Sequence, residues 1–592
     1  MFQLFLTIFI YILLHKGAFC SSEIISKEFV EGYVFWDLNK NGRRDPGERG
    51  IFGALVSNGK EVVVTDKTGR YRLPAYDPMI VFVVPPKNFI PPLNDKNQPQ
   101  FYYIHDSQGS PPFIKDPIEP TGPLPKNLDF PMYKVNSKKS WSVSEKGQCS
   151  TRKPDFSVVI IGDAQVYNEK EIAFLRDSLV KEVSLQEADF ALLMGDNVGG
   201  GNVFLYPRLL SVLSGMGIPY YLIPGNHDMN YEAPSNSRAF DTYKKYNGPT
   251  YYAIRRGKVH FIMLNSVYYL GGKDKRNYRG EIEEQQLEWL SNYLKFVPKD
   301  NLIVLSMHIP LVSFQDRKSP QHMVRNRHRI YELLKGRKVI VLSGHIHTIE
   351  QFLPGEEVEG WGHPTPFHQV LVGAASGSWW TGDFDFEGIP YAITRCGSPR
   401  GFLKIEFFGT NYRIHFFPIG LPKDKQMALS FLTPSFQEWY NTLKGWLSYP
   451  QGNPPKTIND LPDQGVLKVS EVKTGVPLVI NVWNGRSDTK VRCIFNENQI
   501  VSAVRDTNLV DPFALRHQLS MLRWSIGFSA FDQNFGPAPP QPLPTWLHTT
   551  QSPHLWKCEV PKDLNPGTHK VLVEAEIEGV KYKEYKVFEI LP

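Results

Sequence analysis

Gly225-Asn226-His227-Asp228 is the run that organises this chain. Asp163-Ala164-Gln165 and Gly195-Asp196-Asn197 stand upstream of it, and His308 and Gly344-His345-Ile346-His347 stand downstream. Each group follows a short apolar run that reads as a buried strand: Ser157 to Ile161, Phe190 to Met194, Tyr220 to Ile223, Leu302 to Met307 and Val339 to Leu342. Strands that end in Asp, Asn, Gln or His bring those side chains to one edge of a sheet, where open α/β folds place their sites. Singly, such residues also serve as caps and turn formers. Five ordered blocks in the same strand-then-loop context point instead to a set of metal ligands.

Asp163, Gln165, Asp196, Asn226, His308, His345 and His347 exceed the three or four ligands that one catalytic ion takes, so the set predicts two ions sharing a carboxylate. Asp196, between the two groups in sequence order, is the natural bridge. Ions about 3.5 to 4 Å apart clamp a phosphoryl group and lower the pKa of a bound water. Oxygen and imidazole donors suit manganese, iron or zinc alike.

At these residues the chain resembles the calcineurin-like metallophosphoesterase superfamily, whose pattern is Asp-x-His, Gly-Asp, Gly-Asn-His-Asp/Glu, a lone His, and Gly-His-x-His. The resemblance implies that Asp163, Asp196 and His347 hold one metal, that Asp196, Asn226, His308 and His345 hold the other, and that His227 is the catalytic histidine. Asp228 is then expected to fix the imidazole in one tautomer and support its protonated form. The first block departs from the pattern: Gln165 stands where the family has His, and a carboxamide oxygen is a weaker, harder ligand.

The chain of 592 residues is longer than one core serves, and three domains are expected. A net charge of +6, from 66 basic and 60 acidic residues, is too small and dispersed to imply a nucleic-acid partner. Leu4 to Leu14 followed by Ala18-Phe19-Cys20 reads as a cleaved secretory signal over residues 1–20, with a lipid on Cys20 as the alternative. No later run is long enough to predict a transmembrane anchor. Cys149, Cys396, Cys493 and Cys558 remain after the signal, an even number that suggests Cys149 with Cys396 and Cys493 with Cys558; free buried thiols are the other possibility.

In residues 28–135, Asp37, Asn39, Asn41, Arg43 (through its carbonyl), Asp45 and Glu48 match a calcium-loop pattern with a turn glycine at Gly42. Strands rather than helices surround it, as in a β-sandwich module, and a solvated Asn-Gly turn is the competing reading. Proline accumulates from Pro85 to Pro131, which reads as an extended arm and linker. Residues 154–420 form the expected catalytic domain, with helices at Glu169 to Glu187, Phe204 to Met216 and Glu281 to Phe296, and another from Ser319-Pro320. Trp379 and Trp380 either wall a substrate pocket or pack in the core. After a connector to about Gln464, residues 465–592 alternate as a second β-sandwich.

The fold expected is therefore a central α/β sandwich of the calcineurin-like type between amino- and carboxyl-terminal all-β domains. The function expected is that of a secreted dimetal phosphoesterase attacking phosphate mono- or diesters with a metal-bound hydroxide. The rival class is a non-catalytic binding or surface protein whose metal site is structural.

Overall fold

The computed structural model of the protein describes residues 28–135, 154–271, 277–315, 319–357, 364–448, 460–522 and 549–592. The segment read as a secretory signal and Cys149 lie outside the described residues.

The central domain is built on two mixed sheets that share one core. The first runs Tyr220–Leu222, Phe190–Leu193, Phe156–Ile161, Gly401–Phe408, Asn411–Pro418, and its first three strands are parallel. The second runs Tyr252–Arg256, Val259–Leu264, Leu302–Met307, Lys338–Ser343, His368–Val372, Ile349–Phe352, with the middle four parallel. Phe156, Phe190 and Phe407 of one sheet pack edge-on against Phe261 of the other. Helices Glu169–Leu175, Tyr206–Leu213, Glu284–Leu294 and Arg327–Leu334 add buried stripes to the same core. Covered on both faces, the parallel strands need uninterrupted apolar runs, which is why those runs could be read from the sequence.

Two helices differ from expectation. The first passes through a π turn, Arg176–Val180, before ending at Ser184. No helix begins at Ser319-Pro320; it begins at Arg327, because the preceding loop is held against the site, where the Gln321 carbonyl accepts from His345 Nε2 at 3.1 Å.

The amino-terminal module is a sandwich of two four-stranded sheets. The proline-rich stretch is more than an arm and linker, since it supplies the strands Tyr102–His105 and Phe130–Lys134. Its loops also dock on the central domain: Asp116 pairs with Lys245 and Tyr246, Ser110 donates to Asp241, and Phe101 packs among Tyr221 and Tyr252. The carboxyl-terminal domain is a sandwich of a four- and a five-stranded sheet. The connector before it contains a helix, Pro434–Ser448, which buries Phe436, Trp439 and Leu443 against Leu515. Thr433 caps it by accepting from the Phe436 N–H at 3.1 Å.

Cys493 and Cys558 form the expected disulfide, linking the two sheets of that last sandwich. Cys396 is a free, buried thiol, contrary to its expected bridge with Cys149. Its sulfur is enclosed by the Ile349 N–H at 3.2 Å and the Thr394 hydroxyl at 3.3 Å. Replacing Cys493 and Cys558 together by alanine should lower the stability of the last domain by about 2–4 kcal/mol. Urea unfolding followed by fluorescence checks this, and an unchanged midpoint would refute a stabilising role.

Candidate metal centre

The five sequence blocks lie just past the carboxyl ends of parallel strands, as their patterning required. The backbone there is unusual. Asp163 (φ 30°), Gln165 (40°), Asp196 (49°), His345 (76°) and His347 (58°) all occupy the left-handed region, which is costly for residues with a Cβ. Such strain persists only where the surroundings impose it. Here Gln165 N–H donates to the Asp196 carbonyl at 2.7 Å, the Ser376 hydroxyl donates to the Asp163 carbonyl at 2.8 Å, and Arg395 N–H donates to the His347 carbonyl at 3.1 Å. Two motif glycines allow the blocks to touch: a Cβ on Gly225 would meet the Asp196 nitrogen at 2.2 Å, and one on Gly344 would meet Asp163 Oδ2 at 2.5 Å.

Each histidine spends one nitrogen on a backbone carbonyl. His308 Nδ1 donates to Met194 at 2.9 Å, His345 Nε2 to Gln321 at 3.1 Å, and His347 Nδ1 to Gly377. These bonds leave His308 Nε2, His345 Nδ1 and His347 Nε2 as lone-pair donors facing inward, the tautomer pattern of imidazole metal ligands. His308 Nε2 lies 3.1 Å from Asn226 Oδ1, 3.1 Å from His345 Nδ1 and 3.3 Å from Asp196 Oδ2. His347 Nε2 lies 3.6 Å from Asp163 Oδ1. One ligand atom from each of Asp196, His308 and His345 falls within 4.8 Å of the others, close enough to share an ion.

The electrostatics of this acceptor cluster call for positive charge. Burial, reinforced by the charge of Asp196, raises the Asp163 pKa well above the usual carboxylate range. Burial opposes charge on His308, yet the charge and hydrogen bond of Asp196, with Asp163 and the Met194 carbonyl beside them, together outweigh it and push the imidazole up to about 9. Burial, with His308 adding to it, lowers His345, and burial pulls His347 down to about 3. Gln165 fits the set as well: its Oε1 is buried without a hydrogen-bond partner, while its Nε2 donates to the Tyr167 hydroxyl at 3.2 Å.

His227 is half-buried above this cluster, its Nε2 4.0 Å from Asp196 Oδ2. Its Nδ1 accepts from the Gly200 N–H at 2.9 Å, and a backbone N–H can only donate, so the ring proton sits on Nε2. Asp228 plays a different part from the one expected. Its carboxylate accepts from the N–H groups of Asn197, Val198 and Gly225 and from the Tyr206 hydroxyl, so it ties two ligand loops together rather than orienting the imidazole. Trp379 stacks on the His347 ring at 4.5 Å and is half-exposed. Trp380 is a core residue instead, 6% exposed, its indole N–H donated to the Ala164 carbonyl.

Sequence reasoning missed Asn197, whose amide donates to the Ile223 carbonyl and to Asp228, and the aromatic rim of the site. Tyr167 meets the His227 ring, Tyr231 places its hydroxyl 3.3 Å from His227 Nδ1, and Tyr278 and His322 flank His345. The run Gly199-Gly200-Gly201 was the available signal: Cβ atoms on its first and last residues would strike the rings of Tyr167 and Tyr231.

In the amino-terminal module, Asp37 accepts from the N–H groups of Lys40 and Gly42, and Glu48 accepts from those of Leu38 and Asp45. Asn39 and Asn41 accept from the N–H groups of Asn41 and Arg43 and donate to Asp45, so five of the six expected ligand residues bond within one loop through their side chains.

Residues 156–348 match the family model "Calcineurin-like phosphoesterase", residues 38–113 the model of its N terminal, and residues 370–579 the model of its C terminal. A probable glycerophosphodiester phosphodiesterase, GpdQ, of Arcobacter nitrofigilis is 27% identical over 31% of this chain and 65% of its own length. A 3',5'-cyclic-nucleotide phosphodiesterase of Nostoc sp. is 24% identical over 35% of this chain and 79% of its own. Tartrate-resistant acid phosphatase type 5 of Rattus norvegicus is 24% identical over 50% of this chain and 91% of its own.

Gly344→Ala tests the packing of the centre. The added methyl must push the Asp163 carboxylate aside, so the variant should lose bound metal while its circular dichroism stays that of the parent. Retention of the full metal content by elemental analysis would contradict the close approach described above.

Proposed function

Because this chain belongs to the calcineurin-like phosphoesterases, we propose that it hydrolyses phosphate esters at a two-metal centre bridged by Asp196. The observation that carries this reading is the meeting of Asn226 Oδ1, Asp196 Oδ2, His308 Nε2 and His345 Nδ1, acceptor atoms that need a cation among them. Those four residues would hold one ion, and Asp163, Gln165, Asp196 and His347 the other. When bound, such ions polarise phosphoryl oxygens and supply an activated water.

The chain's own residues do the rest. His227 presents Nε2–H towards the centre as a fixed donor, positioned by the Gly200 N–H, and hydrogen-bonds a non-bridging phosphoryl oxygen as charge builds there. A neutral imidazole in this tautomer is a charge stabiliser rather than a proton source. Tyr167, Tyr231, Tyr278 and Trp379 wall the approach with half-exposed rings, which favours esters with apolar or aromatic leaving groups. A binding protein with a structural metal would have no use for His227 so placed; nitrophenyl phosphate and bis-nitrophenyl phosphate, assayed with manganese, iron or zinc added, separate the two classes. Export from the cell through residues 1–20 is part of the proposal, checked by the amino-terminal sequence of the mature protein.

Three outcomes are expected. His227→Ala should lower turnover by roughly 100- to 1,000-fold, the cost of losing one oxyanion donor. Both metals should remain by elemental analysis, and the loss should be similar for nitrophenyl and alkyl esters; a much larger loss on alkyl esters would show general-acid catalysis instead. Gln165→Ala should remove about one metal equivalent per chain, and retention of both would exclude Gln165 as a ligand. Calcium should bind at Asp37 to Glu48 and raise the melting temperature, as any ligand of the folded state does. A shift that survives in Glu48→Ala would mean that the loop is only a turn.

A further inference from the structure

A cleft of about 1270 Å³ separates the central domain from the carboxyl-terminal sandwich and shares no residue with the candidate metal centre. Ser178, Tyr391 and Arg400 line one side; Trp483, Phe513 and Lys586 line the other. Arg400 is the anomaly. It is 4% exposed, no carboxylate lies within ion-pair distance of it among the described residues, and its Nε is buried without a hydrogen-bond partner. Its Nη1 donates to the Ser178 hydroxyl at 3.0 Å, and its guanidinium lies over the Trp380 ring at 5.1 Å. Asp385, the nearby carboxylate that favours its charge, turns Oδ1 to the N–H groups of Glu387 and Ile389 instead.

Buried arginines are normally paired, because an uncompensated charge in a desolvated place is expensive. Burial lowers the Arg400 pKa only to about 10, so the group stays charged at neutral pH. The helix beside it is distorted where it meets the guanidinium: Ser178 lies in the π turn Arg176–Val180, and such turns recur at functional sites. Ser178 donates its own proton to the Phe174 carbonyl at 2.6 Å, which orients its oxygen as an acceptor for Arg400. Across the cleft Lys586 is half-buried over the Phe431 ring and forms no ion pair among the described residues. Of the other charged groups that line the cleft, Glu387 pairs with Lys181 and Lys425 with Glu584, whereas Glu182, Asp463, Glu589 and Arg516 form no ion pair among the described residues.

We propose that this cleft binds a small amphipathic oxyanion, its carboxylate or phosphate head at Arg400 and its apolar body against Tyr391, Trp483 and Phe513. The site is one side chain from the metal centre, since Trp380 bonds the Ala164 carbonyl between Asp163 and Gln165 and its neighbour Trp379 stacks on His347.

The test is calorimetric titration of the metal-loaded full chain, with the metal centre blocked by saturating fluoride, which is no oxyanion and leaves the head-group site open. Octanoate and octyl phosphate are the probes and octanol the uncharged control. At least one anion should bind at a single site, octanol should bind at least about tenfold more weakly, and Arg400→Met should weaken the anion roughly 10- to 100-fold, as the loss of charge-assisted hydrogen bonds predicts. Which anion binds identifies the head group. Failure of both to bind, equal binding of octanol, or unchanged binding to Arg400→Met would overturn the proposal. Should Arg400→Met not fold, Ala428→Trp, which fills the cleft from its wall, must abolish binding with an unchanged melting temperature; binding that persists overturns the proposal too.

Discussion

Acceptor atoms crowded into one buried space, and short of positive charge, are the constraint on which the centre of this molecule is built. Met194, Gln321 and Gly377 each take the proton-bearing nitrogen of one histidine, so in the neutral rings the three opposite nitrogens offer lone pairs. Asn226 and Asp196 add oxygens to the same small space. Only positive charge satisfies such a set, and the elevated pKa of His308 shows how strongly the site draws it. Because the ligands meet only in the folded chain, cation binding there contributes directly to folding free energy.

That contribution explains how the strained backbone is tolerated. Five ligand residues adopt left-handed conformations, at roughly 1–2 kcal/mol each if unsupported. No local sequence preference favours this for Asp, Gln or His. The conformations are imposed by carbonyl and amide partners on neighbouring loops and by the glycines that let those loops touch. Asp228 works in the same way. Buried, and raised by burial to about 6, it gathers donors from Asn197, Val198, Gly225 and Tyr206 and thereby fixes the distance between the Asp196 and Asn226 loops.

What was legible in the sequence follows from the same physics. The strands of the central domain were readable because both faces are buried, so Leu302–Met307 emerged with its observed bounds. Ligand identities were readable because metal chemistry restricts the residue types. The role of Asp228 was misjudged because adjacency in sequence to His227 suggested contact, whereas the 3-10 turn Asn226–Asp228 turns the two side chains to different partners. Trp380 differs from Trp379 for a similar reason, since one indole N–H finds the Ala164 carbonyl inside the core and the neighbouring ring finds His347. The helix Pro434–Ser448 was missed although Thr433-Pro434 offered a cap and a first-turn proline.

The carboxyl-terminal sandwich does more than extend the chain. Ile349–Phe352, which begins two residues after His347, is an edge strand of the six-stranded sheet, and exposed edges invite slippage and pairing. The last domain covers that edge with polar groups: Asn484 accepts from the Gln351 amide at 2.7 Å, and Asn481 donates to the Cys396 carbonyl at 3.0 Å while accepting from His554. Arg395, next to Cys396, donates its N–H to the His347 carbonyl, and its own carbonyl accepts from Thr550. A continuous chain of hydrogen bonds thus leads from the last domain to the backbone of a candidate ligand. Removing that domain would strip the buried Gln351 amide of its Asn484 partner and loosen the strand whose preceding left-handed turn aims His347 at Asp163.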